Sequence, residues 1–201
     1  YAEAYCEKGV SLNWLKRYKE ALAACEQALR LNSTYAEAYC EKGVSLNWLK
    51  RYGESVAACE QAIHLNPSYA KAYCEMGKSL AWLKRHEEAV AAYEQALRLN
   101  PSSAEAYCEM GKSLNELKRY EEALAAYEQA LRLNPSSAEA YCGKGISLNW
   151  LKRYEEALAA YEQALRLNPS SAEAYCGKGI SLNWLKRYEE ALAAYEQALR
   201  L

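Results

Sequence analysis

Apolar positions along the chain follow one template, clearest in residues 138–167, AEAYCGKGISLNWLKRYEEALAAYEQALRL. Tyr141, Gly145, Leu148 and Leu151 are three or four residues apart, so at 100° per residue they share one face of a helix. Ala157, Leu158, Tyr161, Ala164 and Leu165 repeat that spacing and predict a second helix starting near Tyr154. Lys152-Arg153 is left as a short turn between them. Asn134-Pro135-Ser136-Ser137 breaks the chain beforehand. Ser136, with Glu139 three residues later, makes the capping-box pattern that opens the first helix. Glu162 and Arg166 form an i,i+4 pair on the outward face. The pattern predicts an antiparallel helical hairpin.

The hairpin recurs every 34 residues without insertions, starting at Ala2, Ala36, Ala70, Ala104, Ala138 and Ala172. Six units follow: 2–35, 36–69, 70–103, 104–137, 138–171 and 172–201, taken together as one repeat domain over 1–201. Residues 172–201 copy 138–167 letter for letter. A fixed period of this length marks an array in which each unit buries its core against its neighbours. Tyr1 is expected to be the last residue of an earlier unit, making the chain a piece of a longer array. Near-uniform late units and drifted early ones, with Gly53, Ser55, His64 and His86, point to recent tandem duplication.

These residues closely resemble the tetratricopeptide repeat family. Tyr141 stands at the usual large aromatic, Gly145 at the small residue where the paired helices approach, and Ala157 and Ala164 at the small positions of the second helix. Tyr161 takes that helix's aromatic position and Pro169 the closing turn. Departures are Ser33 in place of Pro, and Cys25 and Cys59 in place of the second-helix aromatic. Lys16, Lys50, Lys84, Lys118, Lys152 and Lys186 stand where Gly is common in the inter-helix turn. A positive φ there would cost about 1 kcal/mol per unit. The resemblance implies an all-α fold, an α-solenoid wound as a right-handed superhelix of six antiparallel helix-turn-helix hairpins, about 12 helices. It also implies a concave groove lined by the first helices, the family's usual surface for peptides or partner helices.

The helical wheel puts Glu139, Cys142, Ile146 and Asn149 opposite the packing face, with Trp150 on the flank. Repetition turns these into ladders: Asn13, Asn47, Asn115, Asn149 and Asn183, and Trp14, Trp48, Trp82, Trp150 and Trp184. The Asn ladder is expected to hydrogen-bond a peptide main chain, and the Trp ladder to supply rigid contact area. The alternative for Trp is packing on the next unit's first helix. Lys71, Lys78 and Lys112 add charge on the groove side. They suit either an anion clamp or intrahelical pairs, since Glu75 and Glu109 precede Lys78 and Lys112 by three residues. Gly143/Ile146 and Gly177/Ile180 later replace both partners together, which favours pairing. The chaperone-type carboxylate clamp is not expected, because Cys and Glu hold its positions.

Composition narrows the functions. The chain has 25 basic and 26 acidic residues and a net charge of −1, which gives no electrostatic case for nucleic acid. No apolar run is long enough to cross a membrane. Six of the eight cysteines lie 34 residues apart at one repeat position, and two share another. No CxxC or Cys/His cluster accompanies them, so no metal site and no cofactor is expected. Unpaired thiols fit a reducing, cytoplasmic setting. His64 and His86 occur once each at different repeat positions, and no nucleophile elbow or phosphate loop is present. The expectation is a non-catalytic scaffold for a protein or peptide ligand. The alternative is an array that associates head to tail through apolar end faces such as Leu182, Leu185, Ala191, Tyr195 and Ala198.

Overall fold

A computed structural model describes all 201 residues, Tyr1–Leu201. It contains twelve helices and no strand: α1 Ala2–Trp14, α2 Tyr18–Leu31, α3 Ala36–Trp48, α4 Tyr52–Leu65, α5 Ala70–Trp82, α6 His86–Leu99, α7 Ala104–Glu116, α8 Tyr120–Leu133, α9 Ala138–Trp150, α10 Tyr154–Leu167, α11 Ala172–Trp184 and α12 Tyr188–Arg200. They form two compact units, Tyr1–Pro101 and Ser102–Leu201. Each unit is three helical hairpins. Within a unit, consecutive first helices touch one another, and each second helix touches its own first helix and the next one. Consecutive second helices do not touch. Each unit therefore bends toward its first helices, which line the inner side.

The hairpins close where small residues let helices approach. A Cβ on Gly145 would lie 2.7 Å from the Tyr161 ring, and one on Gly9 would lie 2.7 Å from Cys25 Sγ. Ala157, Ala160 and Ala164 of α10 are buried with Leu148 and the Tyr161 ring. Each of the six turns carries a lysine at φ between 59° and 61°. The left-handed residue expected in place of Gly is therefore real. Beside it, Arg17, Arg51, Arg85, Arg119, Arg153 and Arg187 each fork onto a Glu three residues on, as Arg153 does to Glu156 at 2.6 Å through both nitrogens. These exposed pairs fix the start of each second helix, with little effect on stability.

Two expected local contacts form differently. Ser137, not Ser136, caps α9 by accepting from the Ala140 amide at 3.1 Å. Asn134 Oδ1 accepts from the Ser136 amide at 3.2 Å and from its hydroxyl at 3.0 Å, drawing Ser136 into a side-chain turn before the helix. Glu162 pairs with Lys178 of the following repeat at 3.1 Å, not with Arg166. Glu26–Lys42 and Glu128–Lys144 repeat that inter-repeat bridge. A lysine on the next first helix is thus the nearer cation.

Candidate functional site

The Asn positions lie on the inner side, half-buried in the first four repeats that carry them and exposed at Asn183, and their amides are engaged by neighbours. Asn13 Nδ2 donates to the Glu41 carbonyl at 3.4 Å, and its Oδ1 lies 2.9 Å from Ser45 Oγ. Asn47 makes the same bonds to Glu75 and Ser79, Asn115 receives Ser147, and Asn149 reaches Gly177 and receives Ser181. Asn149 and Asn183 also donate to the hydroxyls of Tyr161 and Tyr195. The serines are buried, so each bond satisfies a hydroxyl that has left water. The Asn ladder stitches neighbouring first helices together.

The tryptophans are different. Trp48, Trp82, Trp150 and Trp184 stack flat on Tyr18, Tyr52, Tyr120 and Tyr154 of the preceding repeat's second helix, with centroids 5.3–5.6 Å apart. Each remains 63–66 % exposed, and Trp14 is 84 % exposed. Stacking holds one ring face and leaves the other open to solvent, which gives rigid apolar contact area at little entropic cost.

The lysines are held by carboxylates. Lys71 pairs with Glu41, only 4 % exposed, and Lys78 reaches Glu75 at 2.7 Å. Lys112 bridges Glu109 at 2.7 Å and Glu139. Burial alone would lower the Lys71 ammonium's pKa, but the Glu41 hydrogen bond and charge outweigh it and hold it above the ordinary value. Burial also opposes the charge on Lys112, and Glu109 and Glu139 raise it. The intrahelical pairs at Lys78 and Lys112 form as spaced, and an open anion clamp does not.

The two units differ on their inner sides. In Tyr1–Pro101, Tyr35 and Tyr69 lie over Cys6 and Cys40, and buried Glu41 and Glu75 stand beside Cys25 and Cys59 respectively and beside the asparagines. In Ser102–Leu201, Ser137 and Ser171 replace those tyrosines, and Gly143 and Gly177 replace the glutamates. The Tyr127 and Tyr161 rings occupy the space beside these glycines: a Cβ there would lie 2.3 Å from a ring carbon. What remains is a cleft of about 480 Å³, with Lys112, Asn115, Glu116, Glu139 and Glu173 around Cys142, Gly143 and Ile146. Its size falls within the range of about 300–1,000 Å³ usual for ligand pockets. Glu116 holds the Trp repeat position, so that position lies on the cleft's rim. Sequence reasoning passed over this cleft, although the change from Tyr and Glu to Ser and Gly was its signal.

No disulfide links the eight cysteines, and no group of His, Cys, Asp or Glu is placed to hold a metal ion. Burial pushes the Cys25, Cys59, Cys108 and Cys142 thiols up to about 12, the reverse of what a nucleophile needs. No helix is long and apolar enough to cross a membrane.

Among solved structures, YrrB, described as a tetratricopeptide repeat protein with an unusual peptide-binding site, aligns with a TM-score of 0.75 at 24 % identity, over 88 % of this chain and 91 % of its own. MamA from Desulfovibrio magneticus RS-1 aligns with a TM-score of 0.77 at 20 % identity, over 83 % and 94 %. PilF of Pseudomonas aeruginosa aligns with a TM-score of 0.86 at 18 % identity, over 99 % and 90 %. At these identities the likeness is one of fold. No curated protein matches the sequence. The tetratricopeptide repeat family model matches residues 2–35, 36–69, 138–171 and 172–201, and a second model of the same repeat matches 82–118 and 111–148. With more than half its length so matched, the chain belongs to the tetratricopeptide repeat family.

Proposed function

We propose that the protein is a non-catalytic scaffold that binds a peptide or partner helix on the inner side of its first helices. The observation that carries this reading is the set of tryptophans Trp48, Trp82, Trp150 and Trp184, each stacked on a tyrosine and still about two-thirds exposed. Rigid, open aromatic faces at the last residue of the first helices, recurring within each unit, have the composition of binding hot spots. The peptide-binding site in the description of YrrB supports the same use of this fold. Asn13, Asn47, Asn115, Asn149 and Asn183 serve the site by setting helix spacing, Lys71 and Lys78 by balancing the buried Glu41 and Glu75, and Lys112 by pairing with Glu109 and Glu139. A test is peptide-array capture with Trp150→Ala and Trp184→Ala, both at exposed positions. Loss of most captured peptides by a folded double variant is expected. Unchanged capture would remove the tryptophans from the site.

A further inference from the structure

We propose that the cleft in Ser102–Leu201 selects a basic peptide segment, taking an aliphatic side chain onto Cys142, Gly143 and Ile146 while its flanking Lys or Arg residues meet Glu116 and Glu173. The inference rests on the scaffold reading above and adds the chemistry of the partner.

Three observations carry it. First, Cys142, Gly143 and Ile146 lie on the cleft lining, and Gly143 stands where the other unit has the buried Glu41 and Glu75. Ile146 is half-buried and Ile180 is 44 % exposed, so apolar surface faces the solvent at successive repeats. Second, the one cation on the lining, Lys112, already bridges Glu109 and Glu139, leaving no cationic group for an incoming carboxylate. Third, Glu116 and Glu173 are exposed on the same lining and lie in no ion pair. An acidic segment would meet like charge there, whereas a basic one would meet complementary charge.

The preference reverses the one suggested by lysines on the groove side of the sequence. Those lysines neutralise acids of their own fold, and the surplus at the cleft is negative. The site also differs between units. Glu41 and Glu75 fill the corresponding places in Tyr1–Pro101 and hold Lys71 and Lys78, so no comparable apolar floor opens there.

The test uses the full chain and three short fluorescent peptides, each with a central Leu-Ile pair flanked on both sides by lysines, glutamates or serines. Binding is read by anisotropy at low and high salt. The lysine-flanked peptide is expected to bind at least about tenfold more tightly than the glutamate-flanked one, with a lead that shrinks in high salt. Glu116→Lys with Glu173→Lys should abolish that lead. Ile146→Asp should weaken the serine-flanked peptide as well, and circular dichroism establishes that each variant is folded. Equal binding of all three peptides, or a lead that survives charge reversal, overturns the basic preference. If such binding still depends on Trp150 and Trp184, the scaffold reading stands without it. Binding by none of the three overturns this inference, and failure of the peptide array as well overturns both readings.

Discussion

Lys152 and its five equivalents hold φ near 60° with a Cβ, a conformation that glycine adopts without steric cost. Lys152→Gly is expected to raise stability by about 0.5–1 kcal/mol, less than the full left-handed penalty because glycine also gains freedom in the unfolded chain. Gly53 is the opposite case. It lies inside α4 with nothing within 4 Å of where a Cβ would be. Gly53→Ala should therefore stabilise through helix propensity alone, by less than the about 1 kcal/mol of a helix interior because Gly53 lies in the first turn of α4. Urea denaturation of both variants measures the two effects, and a loss of stability in either would contradict the account. The lysine turn was legible in the sequence because every repeat shows the same departure at the same place. The helix cap was not. Ser136 and Ser137 both fit a cap, and the choice is made by Asn134, whose side chain claims Ser136 first.

At the scale of helices, the unit of stability is the contact between a first helix and its successor. Asn149 donates to the Gly177 carbonyl and receives the buried Ser181 hydroxyl, so Asn149→Ala removes both bonds between these repeats and leaves Ser181 only its bond to the Gly177 carbonyl. A loss of about 1–2 kcal/mol is expected. A double-mutant cycle with Ser181→Ala should show coupling of about 1 kcal/mol. Asn183, exposed and bonded to the Tyr195 hydroxyl, should cost far less when changed to Ala. Equal losses at Asn149 and Asn183 would overturn the stitching role. A helical wheel could place these asparagines on the inner side but could not assign their partners. Ser45 lies 32 residues from Asn13, on a helix whose relation to the first is set by packing. The tryptophans eluded the wheel for a similar reason, since Tyr18 reaches Trp48 from the preceding second helix.

Across the whole molecule, buried thiols link stability to alkaline pH. The Cys25, Cys59, Cys108 and Cys142 thiols ionise near 9.0 when unfolded and are pushed up to about 12 by burial. Above pH 9 the unfolded chain releases protons that the folded chain keeps, so stability is full below that pH and falls as pH rises toward 12. Each thiol contributes a slope of about 1.4 kcal/mol per pH unit over that window. Urea midpoints should be flat from neutrality to pH 9 and then drop, with a shallower fall for Cys142→Ala. A flat profile to pH 11 would contradict it. The period and the hairpin were legible at this scale because the same residues are printed six times. The cleft was harder to see because it is made of side chains that are missing, and a pattern of spacings records presence more readily than absence.

The Tyr161 ring lies between Gly145 of its own hairpin and Gly177 of the next, and Tyr127 lies in the same way between Gly111 and Gly143. Residues 138–171 therefore carry both the projection and the recess that receives it. A segment of that kind can be multiplied in tandem without remodelling any junction, because every added copy meets a surface identical to the one it displaced. Duplication of this repeat is mechanically neutral at each step, which makes copy number the property of this array that can change most freely.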